Sequence, residues 1–285
     1  MDQKETVSWV QILPEELIAK VIEQATEFNV ASLCILRNCN RQFRNIIDQL
    51  LLSKLEELDA RCFRDRSKSC VYSVEKVHSL KSFLQKCVHI TKLELTRVFY
   101  AVDDTLLWQL ANSCSQLKVL DLSYCYHVTD KGISSVLTLP NLQVLTIRSC
   151  PNITSKAFQL YTESYPQNLT TLSIEWCPNL SYPVMSYLIK FRQLECLSLR
   201  GCESVSDDCF RAIAHSEAVP CLKHLDVRFC MIGDAGLMII ARLFRQLDKL
   251  LLGSKTHNLW PCGNWTLSGA TQVATILPWC KIIYS

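Results

Sequence analysis

The chain carries no long apolar run, no strong excess of charge of either sign and no compact cluster of metal-ligating or catalytic residues. No stretch is long and apolar enough to span a bilayer as a helix. Thirty Lys and Arg stand against 27 Asp and Glu, a net charge of +3 over 285 residues. That near-neutral balance does not imply nucleic acid or an acidic membrane as partner. The N-terminal stretch lacks the basic-then-apolar order of a secretory signal, so a reducing compartment, cytoplasmic or nuclear, is expected. There are 16 cysteines but no Cys-x-x-Cys pair and no Cys/His ligand spacing, which argues against zinc. The six histidines, at positions 78, 89, 127, 215, 224 and 257, are scattered. No Ser/His/Asp order or paired carboxylates accompany them, so neither an enzyme nor a cofactor is expected. The three glycosylation sequons, at Asn152, Asn168 and Asn264, are read as chance matches.

What is present is a repeat. Cys125, Cys150, Cys177, Cys202 and Cys230 each close the same phrase, as in Leu117-Lys-Val-Leu120-Asp-Leu122-Ser-Tyr-Cys125, at intervals of 25, 27, 25 and 28 residues. A near-constant period of this length is the signature of a leucine-rich-repeat solenoid. Counted from the first Leu of each phrase, positions three and five are always apolar: Leu120 and Leu122, Leu145 and Ile147, Leu172 and Ile174, Leu197 and Leu199, Leu225 and Val227. Such alternation predicts a strand with one buried face. A further apolar residue stands at position eleven: Val128, Ile153, Leu180, Val205. Thr129, Thr154, Ser181 and Ser206 follow and are expected to cap helices. Apolar residues three and four apart come next, for example Ile133, Val136 and Leu137, the inner stripe of a convex-side helix.

The fold class is therefore α/β, a horseshoe with parallel strands on its concave face and helices on its convex face. The repeats are placed in residues 89–285. Weaker copies begin at Ile90 and Leu247, and a C-terminal cap contains Trp260, Trp265 and Trp279, with a helix near Ser268–Leu277 and a strand near Lys281–Tyr284. Residues 52–88 read as a linker and N-terminal cap. The cysteine turn resembles the cysteine-containing subfamily of leucine-rich repeats. That resemblance implies thiols pointing inward at the bend, reduced rather than disulfide-bonded.

Residues 8–51 do not follow the repeat. Pro14 opens a helix followed by Glu15 and Glu16, and Leu17, Ile18, Val21 and Ile22 give it a wide apolar stripe. Ser32 is placed to cap a second helix carrying Leu33 and Leu36, and a third carries Phe43, Ile46 and Ile47. So small a helical unit buries little by itself, and its apolar inventory exceeds what one small core requires. The segment resembles an F-box through Leu13-Pro14, Leu17-Ile18, Val21-Ile22, Leu33, Leu36 and the run Cys39 to Phe43. It departs in a longer stretch from Gln24 to Ser32, in lacking an Asp-Pro turn, and in having Ser32 where Asp is usual. Without the resemblance, the segment reads as a helical cap on the solenoid.

An F-box followed by cysteine-type repeats is the architecture of F-box leucine-rich-repeat proteins. It implies the substrate-recognition subunit of an SCF-type cullin–RING ubiquitin ligase. Leu13, Pro14, Leu17, Ile18, Val21, Ile22, Leu33, Leu36 and Phe43 would bind the Skp-family adaptor of the cullin complex. The concave face would hold a protein substrate. On the repeat register, Arg148, Glu175, Arg200 and Arg228 project from the strands into that face, with Trp176 and Phe229 beside them. Arg, Trp and Phe are types enriched in interface hot spots. A scaffold or an inhibitor with no ligase role fits the same pattern.

Overall fold

The computed structural model describes residues 14–26, 41–48, 57–59, 84, 86–96, 99–159, 167–216, 221–253 and 263–284. Its N-terminal helices are α1 (Glu15–Thr26) and α2 (Arg41–Ile46), which pack together. The sheet strands are β1 (Glu57–Asp59), β2 (Lys92–Glu94), β3 (Val119–Asp121), β4 (Val144–Arg148), β5 (Thr171–Glu175), β6 (Cys196–Ser198), β7 (His224–Asp226), β8 (Lys249–Leu252) and β9 (Lys281–Tyr284). Helices α3 (Asp104–Ser113), α4 (Asp130–Val136), α5 (Val184–Leu188), α6 (Asp207–Arg211), α7 (Asp234–Leu243) and α8 (Leu267–Ile276) lie between them.

The nine described strands form one parallel sheet in sequential order. The register pairs equivalent positions: Leu120 with Leu145, Leu172 with Leu197, Leu197 with Leu225. Leucines at positions three and five are fully buried, whereas their alternating neighbours are half-buried on the open face. This is the predicted horseshoe. The C-terminal helix and strand, α8 and β9, stand at the anticipated places, with Trp265 buried and Trp279 exposed.

Two features differ. First, a strand the sequence did not suggest, β1, falls inside the segment read as a linker and N-terminal cap, and pairs with β2. Leu55 and Leu58 keep the reference and third positions of the repeat, but Ala60 stands where a larger apolar residue recurs, which weakens the signal. Pairing there satisfies the backbone edge that β2 would otherwise expose. Second, the connection after Thr154 is a 3₁₀ turn, Ser155–Phe158, rather than an α-helix over its described part. The second helix expected around Ser32, Leu33 and Leu36, together with Leu13, Trp260 and the run Arg61–Lys68, lies outside the described residues.

The strand-end thiols do what the turn requires. Cys125, Cys150, Cys177, Cys202 and Cys230 are buried and free. Sγ of Cys150 donates to the Leu122 carbonyl of the preceding repeat at 3.3 Å, Cys202 to Ile174 at 3.2 Å and Cys230 to Leu199 at 2.9 Å. Burial pushes the Cys150 and Cys177 thiols up to about 12. It raises Cys125, Cys202 and Cys230 in the same direction.

The helix caps carry a second inter-repeat ladder. Thr129 caps α4 by accepting from the Lys131 amide, as expected. Its amide and hydroxyl also donate to Asp104 of the preceding repeat, at 2.8 and 2.6 Å. Asp130 holds Thr154 in the same way, and Asp234 holds Thr266. Ser181 and Ser206 make no side-chain cap bond: Pro183 occupies the cap of α5, and Ser206 caps α6 without a bond from its hydroxyl. Asn152 and Asn168 donate to the Tyr126 and Pro140 carbonyls of the preceding repeat.

Candidate functional site

Two surfaces carry the residues singled out from the sequence. The first is α1. Its apolar residues divide between two faces: Ile18 and Ile22 are buried, whereas Leu17 and Val21 are 47% and 48% exposed. Positions 17 and 21 are one helical turn apart and stack on one side. Pro14 at the start of the helix is exposed as well, and its carbonyl accepts from the Leu17 and Ile18 amides. Ile18, Ile22 and the half-buried Phe43 thus belong to the chain's own packing, alongside Ile46 and Ile47. Of the adaptor-binding set, the described residues left on the surface are Pro14, Leu17 and Val21. Leu13, Leu33 and Leu36 lie outside the described residues. Asp48, just beyond α2, forms an ion pair with Lys86 at the start of the repeats, at 2.5 Å.

The second surface is the concave face. Arg148 and Glu175 are register partners on β4 and β5. Arg200 and Arg228 occupy the same position, each two residues beyond the end of its strand, β6 or β7. The sequence suggests a ladder of alternating charge, yet among the described residues Glu175 forms no ion pair with either neighbouring arginine. Its Oε1 instead accepts from the hydroxyls of Ser173 and Ser198, both at 3.1 Å.

The three arginines are not equivalent. Arg228 is chelated by Asp226: its Nε lies 3.0 and 3.1 Å from the two carboxylate oxygens, and a terminal nitrogen lies 2.7 Å from one of them. This pairing raises the Arg228 pKa further above its ordinary value. Nε of Arg148 and Nε of Arg200 are buried with no hydrogen-bond partner. Each of those guanidiniums lies over an aromatic ring instead, Arg148 over Tyr124 at 5.9 Å and Arg200 over Phe229 at 5.5 Å.

The aromatic residues sit in an unusual backbone state. Tyr124, Ser149, Trp176, Gly201 and Phe229 occupy equivalent positions, seven past each reference Leu, and all have positive φ, from 53° to 72°. Strand alternation would point this residue inward and the next one outward. The left-handed residue reverses that order, so the following cysteine enters the core and the aromatic ring stays on the rim. The Tyr124, Ser149, Trp176 and Gly201 amides still donate to the next repeat's carbonyl, at 2.6 to 2.8 Å. The Trp176 ring lies across Gly201 and stacks on Phe229 with centroids 5.6 Å apart. A Cβ on Gly201 would come within 2.4 Å of that ring. Tyr124 and Tyr126 extend the rim towards the N-terminus, where Tyr126 meets Phe99 edge-on at 5.4 Å. The sequence marked Trp176 and Phe229 by residue type; nothing in it marked Gly201, whose small size makes the stack possible.

Comparison with known proteins agrees with this geometry. A model described as "Leucine Rich repeat" matches residues 113–137 and 220–241. F-box/LRR-repeat protein 23 of Arabidopsis thaliana is 22% identical over 261 residues, covering 82% of this chain and 51% of that protein. Mitochondrial ATP synthase subunit s of Pongo abelii is 31% identical over 94 residues, or 32% of this chain and 44% of that protein. The human protein of the same description is 30% identical over the same length. The chain thus spans about half the length of the curated relatives it matches. Among solved structures, a chain in the yeast Rad7 and Elc1 complex superposes with a TM-score of 0.55 at 20% identity, covering 71% of this chain and 50% of that one. At that identity the likeness speaks for the fold alone.

Proposed function

We propose, since the chain is a leucine-rich-repeat protein resembling the F-box members of that family, that it is the substrate-recognition subunit of an SCF-type cullin–RING ubiquitin ligase. In this reading the N-terminal helices dock on a Skp-family adaptor and the concave face of the repeats holds a protein substrate. The chain carries no chemistry of its own. It supplies proximity, raising the effective concentration of the substrate beside the ubiquitin-loaded enzyme of the complex. The reading places the chain in a reducing compartment, cytoplasmic or nuclear.

The observation that carries the reading is the division of α1. A helix that merely sealed the end of a solenoid would keep its outer face polar, as terminal caps do. Here Leu17 and Val21 face outward beside Pro14. Apolar residues aligned on an exposed helix face are what a helix-recognising partner reads.

The experiment is affinity capture of the intact protein from native cytosol, scored for the adaptor and the cullin. The Leu17→Asp, Val21→Asp variant is expected to lose both partners while its repeats melt at the wild-type temperature. Recovery of adaptor and cullin with the variant at wild-type yield would overturn the assignment. The chain would then be a binding scaffold or an inhibitor.

A further inference from the structure

We infer that Arg148 and Arg200, with the aromatic rim beside them, form a recognition site for an acidic peptide segment carrying anionic groups about three residues apart. The inference rests on the concave face being the substrate surface. It does not depend on which adaptor, if any, α1 engages.

The argument is one of unmet charge. Three guanidiniums, Arg148, Arg200 and Arg228, share this part of the face with two carboxylates, Glu175 and Asp226. Asp226 is spent on Arg228, which binds it through both carboxylate oxygens. Glu175 directs an oxygen at two serine hydroxyls. That leaves Arg148 and Arg200 each with a buried Nε that has no acceptor. Leaving a buried donor unpaired is costly, and a charged donor more so. Neither guanidinium has a carboxylate partner among the described residues, and both side chains are only half-buried, so an incoming oxyanion would pair with the rest of the guanidinium fork, which matches carboxylate and phosphate geometry.

Position adds the rest. Tyr124 lies under Arg148 and Phe229 under Arg200, so both guanidiniums are oriented by ring faces. Pre-orientation lowers the entropy lost when an anion binds. The two arginines are two ladder steps apart, roughly 10 Å at the usual strand spacing of about 4.8 Å. An extended peptide rises about 3.3 Å per residue, so the arginines match side chains about three residues apart. Beside Arg200 the stacked Trp176 and Phe229 rings offer an apolar face for an aromatic or aliphatic residue of the same peptide.

The test uses the purified full-length protein and fluorescence anisotropy. The probes are a labelled glutamate–tyrosine copolymer, the same copolymer phosphorylated on tyrosine, and a lysine–tyrosine copolymer. The glutamate–tyrosine polymers are expected to bind, with affinity falling as salt rises, and the lysine polymer is not. Tighter binding after phosphorylation identifies phosphate as the preferred anion; equal binding identifies carboxylate. The Arg148→Met, Arg200→Met variant should bind at least tenfold more weakly. Arg148→Lys with Arg200→Lys should fall between the two, and the Asp226→Asn, Arg228→Met double variant, which removes that ion pair without changing the net charge of the face, should stay within twofold of wild type. Equal binding of the acidic and basic polymers, or acidic binding that ignores salt and survives loss of both arginines, overturns the proposal. So does an equal loss on the Asp226→Asn, Arg228→Met double variant. Copolymer binding that fails while adaptor capture persists places the substrate elsewhere on a ligase subunit. The converse result removes the ligase reading and leaves the acidic-peptide site standing.

Discussion

Gly201 is where backbone and side-chain constraints of the rim meet. Its φ of +72° is the left-handed state that each equivalent position adopts, and the Trp176 ring occupies the space a Cβ would need. Tyr124, Ser149, Trp176 and Phe229 accept the same conformation at a cost on the order of 1–2 kcal/mol each. Gly201 avoids that cost and makes room for the stack. Gly201→Ala is therefore expected to destabilise the protein by about 3 kcal/mol in urea unfolding, part backbone strain and part ring displacement. In a Trp176→Ala background the same change should cost only the backbone part, about 1–2 kcal/mol. Equal costs in the two backgrounds would show that the ring contact contributes nothing. The sequence displays Trp176 and Phe229 as candidate contacts, because residue type is visible there. It hides the shared left-handed state, because only one of the five positions is glycine and the other four give no conformational signal.

At the scale of the element, helices α3, α4, α6 and α7 are each fastened to the next repeat by a carboxylate at the helix N-terminus. The Asp104 side chain at the start of α3 accepts from the Thr129 amide, the Thr129 hydroxyl and the Gly132 amide, at 2.8, 2.6 and 3.1 Å. Gly132 has no Cβ because one would stand 2.5 Å from that carboxylate. The pattern recurs at Asp130 and Asp234, and in reduced form at Asp207, which accepts from the Gly233 amide. Where Ser155 replaces the acid, its hydroxyl joins the backbone of Ser181 instead, and the element there is a 3₁₀ turn. Hydrogen bonds to a charged group contribute roughly 1.5–3 kcal/mol each when partly shielded, though neighbours in one network do not add. Asp104→Ala is expected to lower stability by about 2–3 kcal/mol and to speed amide exchange at Thr129 and Gly132. Asp208→Ala, which removes only the exposed pair with Arg211, should stay within about 0.5 kcal/mol of wild type. A result in which the two variants cost the same would reduce the ladder to a surface contact. The threonines were legible as caps because capping is local. Their second partner, some 25 residues earlier in the chain, is a property of the stack, and no local pattern reveals it.

Across the whole molecule, a stack of near-identical units derives its stability from contacts between neighbours, so strength is greatest where both neighbours are present and longest in register. The β4–β5 pair qualifies with five positions, against three for β5–β6, β6–β7 and β7–β8; the terminal β8–β9 pair has four but a neighbour on one side alone. The proposed anion site spans β4 to β7, strands that each have a neighbour on both sides. The repeat period shows in the sequence because every unit solves the same packing problem. β1 does not, because a terminal unit with Ala60 in place of a large apolar residue is free to lose the pattern once it has one neighbour instead of two. The two ends should then open without the middle. Leu277, buried beneath the C-terminal cap, is the place to test this. Leu277→Ala leaves a cavity and is expected to cost about 3 kcal/mol locally. Hydrogen exchange should accelerate at the Lys281 amide, which bonds the Asp248 carbonyl at 2.8 Å. The Ser149 and Trp176 amides, bonded across the centre at 2.8 Å, should exchange at their wild-type rates. Uniform acceleration from end to end would mean that the chain opens as a single cooperative unit. The rim geometry would then depend on the C-terminal cap as much as on its own strands, and Leu277→Ala would weaken acidic-peptide binding from a distance.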